Sequence, residues 1–397
     1  MKDTVKLFYE DSFISEFEAS VLSCEPWKDG YKAVLDRTAF FPEGGGQYGD
    51  TGWLNGIEVT DTQEKDGKIF HFLAEPLKAG ETVSGRLDWE ARFGRMQQHS
   101  GEHIVSGIVH RRFGYDNVGF HLGADYCTMD FNGPITNGEL EEIEREANRV
   151  VCSDLAVHVL YPAKEELGRM EYRSKIEIEG QVRMIEIPGV DRCACCAPHV
   201  ARTGQIGLIK FTDMTNYKGG ERIRMLCGFR ALSDYRSKQG SVRMISRLLC
   251  EQEGKIGEAV NRLKEDNTAL KGEIARLQRQ ILGYKAEKAD DSGEIVWVFD
   301  GDLAGDGPRE LMNLLLEQGA EIGAVFSGTD ETGYRYVIGS RSRDVRPLNQ
   351  RLKERFGARG GGKPEMVQGS LAGSGDQIKA LLSQHLHPDS RGICPDL

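Results

Sequence analysis

Residues 96–113 read MQQHSGEHIVSGIVHRRF, and the character of the chain changes at this stretch. Upstream of Trp89, short apolar runs such as YKAVLDRTAFF (31–41) and KIFHFL (68–73) alternate with glycine-rich or charged turns, the pattern of small antiparallel β structure of barrel type. From Trp89 to about Phe229, a helix over 96–113, strands around YCTMDF (126–131) and GLIKF (207–211) and an acidic amphipathic helix over 138–151 predict an α+β domain. The helix sets His99 and His103 four residues apart on one face, where two imidazoles can share a metal ion. Such a pair alone is not specific.

Further along, apolar residues recur at every seventh position as Val242, Leu249, Ile256, Leu263, Leu270, Leu277 and Tyr284. A second seam, four residues on, carries Val260, Ile274 and Ile281, with Asn267 in the same series. Sustained heptads predict a coiled coil or a long helical hairpin, in which Asn267 can fix register, while Gly254 and Gly257 weaken the early part and are a candidate break. After the acidic spacer ADDSGE (289–294), strand patterns over 295–300, 322–328 and 334–340 alternate with helical stretches over 308–319 and 346–357, which describes a separate α/β domain. The expected class is α+β with four parts: a barrel-like domain at 1–90, an α+β domain at 91–232, a helical linker at 233–292 and an α/β domain at 293–397.

With 397 residues, 39% hydrophobic and 28% charged, the chain has the composition of a soluble globular protein of about two or three domains, not of a disordered or fibrous one. No run approaches the ~18 apolar residues of a membrane helix, and the N-terminus lacks a signal-peptide core, so a cytoplasmic location is expected. Lys and Arg number 51 against 62 Asp and Glu, a net charge of −11. That balance alone argues against a nucleic-acid partner, but binding depends on local patches. One such patch spans residues 341–363, where Arg341, Arg343, Arg346, Arg351, Lys353, Arg355, Arg359 and Lys363 face only Asp344 and Glu354, a local charge of +6. Gly360, Gly361 and Gly362 there would let backbone approach an RNA corner.

Nine cysteines, three of them crowded at Cys193, Cys195 and Cys196, suit metal binding in a reducing compartment better than a disulfide framework. RCACCAPH (192–199) repeats the four-residue offset of the histidine helix in Cys195 and His199. Two nitrogens from one element with a sulfur and a nitrogen from another make a tetrahedral set suited to Zn²⁺. A third stretch, FFPEGGGQYGDTG (40–52), can expose backbone donors to a ligand or simply form a tight turn.

The order GGGQ, then H-x-x-x-H, then C-x-x-x-H followed by VARTGQIGLIKF resembles the editing domain of alanyl-tRNA synthetase and, more closely, the freestanding alanyl-tRNA editing proteins called AlaX. VGFHLGADYCTMDF (118–131) is similar to a family segment. The C-terminal GARGGGKPEMVQG (357–369) looks like the glycine-rich stretch of the synthetase's C-terminal domain, so the resemblance is to the long form of AlaX. It implies that His99, His103, Cys195 and His199 are zinc ligands and that Thr38, Gly45, Gly46 and Gln47 line an aminoacyl pocket. It also implies hydrolysis of serine, and in some members glycine, from mischarged tRNA(Ala), with a C-terminal domain linked to dimerisation and tRNA binding. The usual C-G-G-T-H is here Cys195-Cys196-Ala197-Pro198-His199, which adds two thiols near the site. Only 43 residues precede GGGQ, too few for a class II aminoacylation domain, so ATP use is not expected. No Asp-His-His motif supports the phosphoesterase chemistry of proteins that share a similar C-terminal domain. A different reading is a non-catalytic adaptor, in which zinc only closes the fold.

Overall fold

In the strand Thr82–Leu87 every second residue, Val83, Gly85 and Leu87, is buried while the residues between are exposed, the two-residue period of a sheet with one wet face. Lys68–Leu73 repeats it with Ile69, His71 and Leu73. In the computed structural model, which describes residues 4–123, 126–174, 181–289 and 294–383, six strands close into a barrel. Their order is Glu16–Trp27, Gly30–Leu35, Lys68–Leu73, Ile57–Lys65, Gly52–Leu54 and Thr82–Leu87. Antiparallel pairing of the first strand with the last, Glu16 opposite Arg86 through Ser20 opposite Thr82, completes the closure. The interior is filled by Val21, Leu35, Leu54, Val59, Leu73 and Val83.

The chain leaves the barrel through Asp88, whose side chain accepts the Ala91 N–H and caps the helix Trp89–Phe113. Gly114, at φ 71°, ends that helix in the left-handed conformation. The helix is buried continuously from Met96 to Val109, because it lies under a four-stranded antiparallel sheet and beside a second helix. The sheet order is Ile209–Tyr217, Gly220–Cys227, Cys127–Phe131 and Asn117–Leu122. Ile104 and Ile108 of the helix share one core with Met129, Ile223 and Met225 of the sheet. The second helix, Asn137–Cys152, starts at a capping box of Thr136 and Glu139 and adds Ile143, Ala147 and Val151 to the same core. A three-stranded sheet of His158–Leu160, Met184–Ile187 and Asp191–Ala194 completes this part.

Overall the chain is mixed α/β with several sheets, and its contacts divide it into two compact units, Met1–Ile245 and Ser246–Leu397. In the second unit a five-stranded sheet runs Ile295–Phe299, Ile322–Thr329, Gly333–Ser340, Met366–Leu371 and Arg359–Lys363, the first pair parallel and the rest antiparallel. Leu282 and Ala286 of the helix Ile256–Glu287 pack against Val296, Leu311 and Leu315. The heptad segment is interrupted close to Gly254 and Gly257, the candidate break. The helix Gly228–Leu249 stops at Cys250, whose φ is +50°, and a 3-10 turn at Glu253–Lys255 precedes the next helix, so Val242 and Leu249 belong to a different helix from Ile256 onward. The expected boundary at Gly293 lies outside the described residues.

Candidate metal centre and the loop beside it

The helix Trp89–Phe113 brings His99 and His103 to one face, and the strand Asp191–Ala194 delivers the turn that carries Cys195 and His199 to meet them. One donor atom from each of the four lies within 4.8 Å of the other three. Cys195 Sγ is 3.6 Å from His99 Nε2 and 3.3 Å from His199 Nε2. A tetrahedral ion with bonds of about 2.3 Å to sulfur and about 2.0 Å to nitrogen requires about 3.6 Å between such donors, so the residues fit zinc. The electrostatics agree. Burial opposes ionisation of the Cys195 thiol, but the surrounding imidazoles, His99 foremost, outweigh it and hold the thiol well below its ordinary value. Burial also lowers His199 to about 3, which leaves its ring neutral and able to ligate.

Each imidazole is held from behind. His103 Nδ1 donates to Asp191 Oδ2 at 2.9 Å, and Asp191 is gripped in turn by Arg173 through Nε and Nη2 at 2.7 and 2.8 Å. His199 Nδ1 lies 3.0 Å from Ser100 Oγ, which also accepts the Val200 N–H. His99 Nδ1 faces Gln47 Oε1 at 3.4 Å. With the Nδ1 protons so committed, the Nε2 atoms of the rings are turned to the cluster, the arrangement by which outer partners fix tautomer and orientation at metal sites. A smaller grouping of His103, Asp191 and Cys193 also exists. There Asp191 is already spent on Arg173, and burial pushes the Cys193 thiol up to about 11, so Cys195 is the sulfur suited to ligation.

The glycine-rich stretch turns out to be both a turn and a neighbour of the cluster. Gly44 and Gln47 exchange both backbone hydrogen bonds, at 3.0 and 3.1 Å, around Gly45 and Gly46 with φ of 62° and 80°, a two-residue turn that demands positive φ at both central positions. A Cβ on Gly45 would stand 3.4 Å from Cys196 Sγ and 3.9 Å from the His99 ring, and one on Gly46 would meet Phe120 at 2.9 Å. Gln47 is buried, and its Nε2 has no hydrogen-bond partner among the described residues. A clamp fixes this loop. Fully buried Asp50 accepts from Phe41 N–H and from Arg92 of the histidine helix, whose guanidinium also reaches the Ser12 and Ala39 carbonyls.

Thr38 stands apart from this group. It is fully buried, its hydroxyl accepts the Phe40 N–H, and His71 Nε2 lies 2.8 Å away. Burial holds His71 near 4, hence neutral, and its Nδ1 faces the Ala33 carbonyl at 3.3 Å. The ring proton therefore sits on Nδ1, and Thr38 spends its own proton on Nε2. The basic patch is narrower than its sequence suggests. Arg341 and Arg343 are met by Glu317, Glu321 and Glu294, and Arg346 by Asp344. Arg359 and Lys363 are exposed with Gly360–Gly362 on the edge strand of the C-terminal sheet, and Arg355 is exposed in the last turn of the helix Arg346–Phe356. Missed in the sequence were Asp191, Arg173, Ser100, Asp50 and Arg92. Also missed was Glu102, whose Oε2 lies 3.8 Å from His103 Nε2 while Oε1 accepts from Ser106 and Asn117. Only Glu102 carried a local signal, as the fourth residue of HSGEH.

By sequence, the chain is related to domains of the aminoacyl-tRNA synthetases. Residues 182–226 match the model of the threonyl and alanyl tRNA synthetase second additional domain, and residues 4–91 match that of the class II (A) tRNA synthetases. The chain is 30% identical to the alanyl-tRNA editing protein AlaX-L of Pyrococcus horikoshii, over 94% of this chain and 96% of that one. It is 28% identical to the alanyl-tRNA editing protein Aarsd1 of Rattus norvegicus, over 97% and 98% of the two chains. It is also 33% identical to the alanine–tRNA ligase of Pyrococcus furiosus, over 80% of this chain but only 36% of the ligase. The chain belongs to the alanyl-tRNA editing protein family.

Proposed function

We propose that this chain is a hydrolase that clears serine from mischarged tRNA(Ala), with glycine as a second candidate substrate, acting after charging. The observation that carries this reading is the convergence of the Gly45–Gly46 turn and Gln47 with the His99, His103, Cys195 and His199 donors. A zinc ion serving only to close the fold would need no glycine turn and no buried amide against it. Zinc held by these four residues would supply electrophilic polarisation at the ester or an anchor for the substrate's amine. The protein's own contribution is positional. Gly45 and Gly46 let the backbone approach the aminoacyl group, and Gln47 holds His99 with its carbonyl while keeping its Nε2 donors for a developing oxyanion.

Discrimination against alanine requires a polar partner for the seryl hydroxyl, because an apolar pocket rejects or selects a hydroxyl poorly. Thr38 is our candidate. Its proton is committed to His71, so it would accept the seryl O–H, and its enclosure means that the pocket wall must open for serine to reach it. Thr38→Val is expected to lower hydrolysis of Ser-tRNA(Ala) while leaving zinc content unchanged. The C-terminal unit is assigned tRNA contact through Arg351, Arg355, Arg359, Gly360–Gly362 and Lys363, and the heptad helix is assigned to joining two copies. The location we assign is the cytoplasm; among the described residues no helix is long and apolar enough to cross a membrane.

The deciding experiment incubates wild type and His103→Ala with Ser-, Gly- and Ala-tRNA(Ala). Loss of the seryl ester only with wild type is the expected result. Intact esters throughout would favour the non-catalytic adaptor.

A further inference from the structure

Arg183 carries a charge that nothing around it balances. It is 8% exposed, and among the described residues no carboxylate pairs with it and its Nε has no hydrogen-bond partner. Its Nη1 donates to the carbonyls of Cys195 and Ala197 at 2.8 and 2.9 Å, and the guanidinium lies 5.3 Å from the centre of the Tyr9 ring. Arginine is seldom so enclosed without an anion, because a buried charge left unpaired is costly. We propose that Arg183 and the Tyr9 hydroxyl form the seat of a tRNA phosphate, the one that joins the last nucleotide to the chain, and so position the aminoacyl ester at the metal centre. The inference rests on the hydrolase reading given above and adds a group that aligns its substrate.

The place of the seat follows from the loop it holds. Arg183 is bonded twice to Cys195, through Nη1 to that residue's carbonyl and through its own carbonyl, which accepts the Cys195 N–H at 3.1 Å. The guanidinium is thereby anchored to a residue of the cluster itself. An ester held at the cluster is carried on the terminal ribose, and the nearest anion of such a substrate is the phosphate on the same sugar. The chemistry matches that anion. A planar fork with one nitrogen fixed on two carbonyls is pre-organised to present its remaining N–H groups to phosphate oxygens. Tyr9 adds a neutral donor, since burial foremost holds its phenol protonated, above its ordinary value, and among the described residues nothing accepts its O–H. Its ring packs in one small apolar cluster with Ala197 and Cys195. Lys6, the other cation beside that ring, is already neutralised by Glu64 at 2.8 Å, so Arg183 supplies the unbalanced charge of the group.

The test compares Ser-tRNA(Ala) bearing the natural last linkage with the same tRNA bearing a neutral methylphosphonate there, for wild type, Arg183→Gln and Tyr9→Phe, with zinc content measured for each. Wild type should hydrolyse the natural substrate about 10–100-fold faster in kcat/KM, the worth of charge-assisted hydrogen bonds. Arg183→Gln should erase that difference. Tyr9→Phe, which keeps the ring and loses the donor, should shrink it in part, and it reads the same seat should Arg183→Gln fail to fold. An arginine that only staples the Cys195 loop would, when replaced, slow both substrates alike and leave their ratio intact. That result, or a wild type indifferent to the linkage, would overturn the phosphate seat and leave the hydrolase reading standing; intact seryl ester on both substrates with wild type would overturn both.

Discussion

Arg173 is tied to both halves of the metal centre. Its backbone pairs with the strand that leads into Cys195, donating to the Arg192 carbonyl at 2.8 Å and accepting from Ala194 at 2.9 Å, while its guanidinium grips the carboxylate that orients His103. Removing such an outer partner typically weakens metal affinity about 10–100-fold. Asp191→Ala and Arg173→Gln are accordingly expected to raise the zinc dissociation constant by that order, read by competition with a chelator. His71 gives a second prediction. Its neutral form is enforced by burial, with a folded value of about 4 against an ordinary 6.5, so below pH ~6.5 the unfolded chain takes up a proton that the folded chain refuses. Stability should fall as pH drops from 6.5 to 4, by about 3 kcal/mol at ~1.4 kcal/mol per unit. Denaturant titrations at pH 4.5 and 7 should show a smaller drop in His71→Gln than in wild type. The four residues of the cluster were legible because each pair is four residues apart in sequence. Asp191 was not, since 88 residues separate it from His103 and no local pattern announces a carboxylate that acts across that distance.

Among the elements, the Gly44–Gln47 turn shows why a glycine run was ambiguous in sequence. Its positive φ angles are what a hairpin needs, and its approach to Cys196 and Phe120 is what a site needs, so composition could not separate the two. Gly46→Ala must hold a Cβ at φ 80° and 2.9 Å from Phe120, and should cost about 1–3 kcal/mol of stability. Thermal melts should show that loss together with slower deacylation, whereas Gly56→Ala, also at positive φ but in open space, should spare activity. The break at Cys250 was signalled only by the glycines that follow it. Leu249 and Ile256 keep the seven-residue spacing across it, so the apolar rhythm continues through a segment where the backbone does not. The barrel strands were legible from their alternation, but their order depends on pairings such as Glu16 with Arg86 that span most of the domain.

For the whole molecule, the net charge of −11 and the basic patch at 341–363 are compatible once charge is read locally. Glutamates from outside the stretch absorb Arg341 and Arg343. Arg355→Ala and Arg359→Ala should each weaken tRNA binding at every sequence tested and flatten the dependence of log affinity on log salt by about 0.7–0.9, measured by filter binding across a salt series. The proposed metal ligands bear on the polypeptide as a polymer. His99 and Cys195 lie 96 residues apart, so an ion held between them ties a long loop shut in the native state. A covalent cross-link over a loop of about 100 residues is worth up to about 4–5 kcal/mol in chain entropy, and a metal that binds only the folded chain adds its binding free energy to folding. Chelation should therefore lower the melting temperature of the first unit and leave that of Ser246–Leu397 unchanged, splitting calorimetric unfolding into two separate steps. On the proposed reading the cluster would be a rivet as well as a reaction site, and metal starvation would loosen the fold as well as stop the proposed hydrolysis.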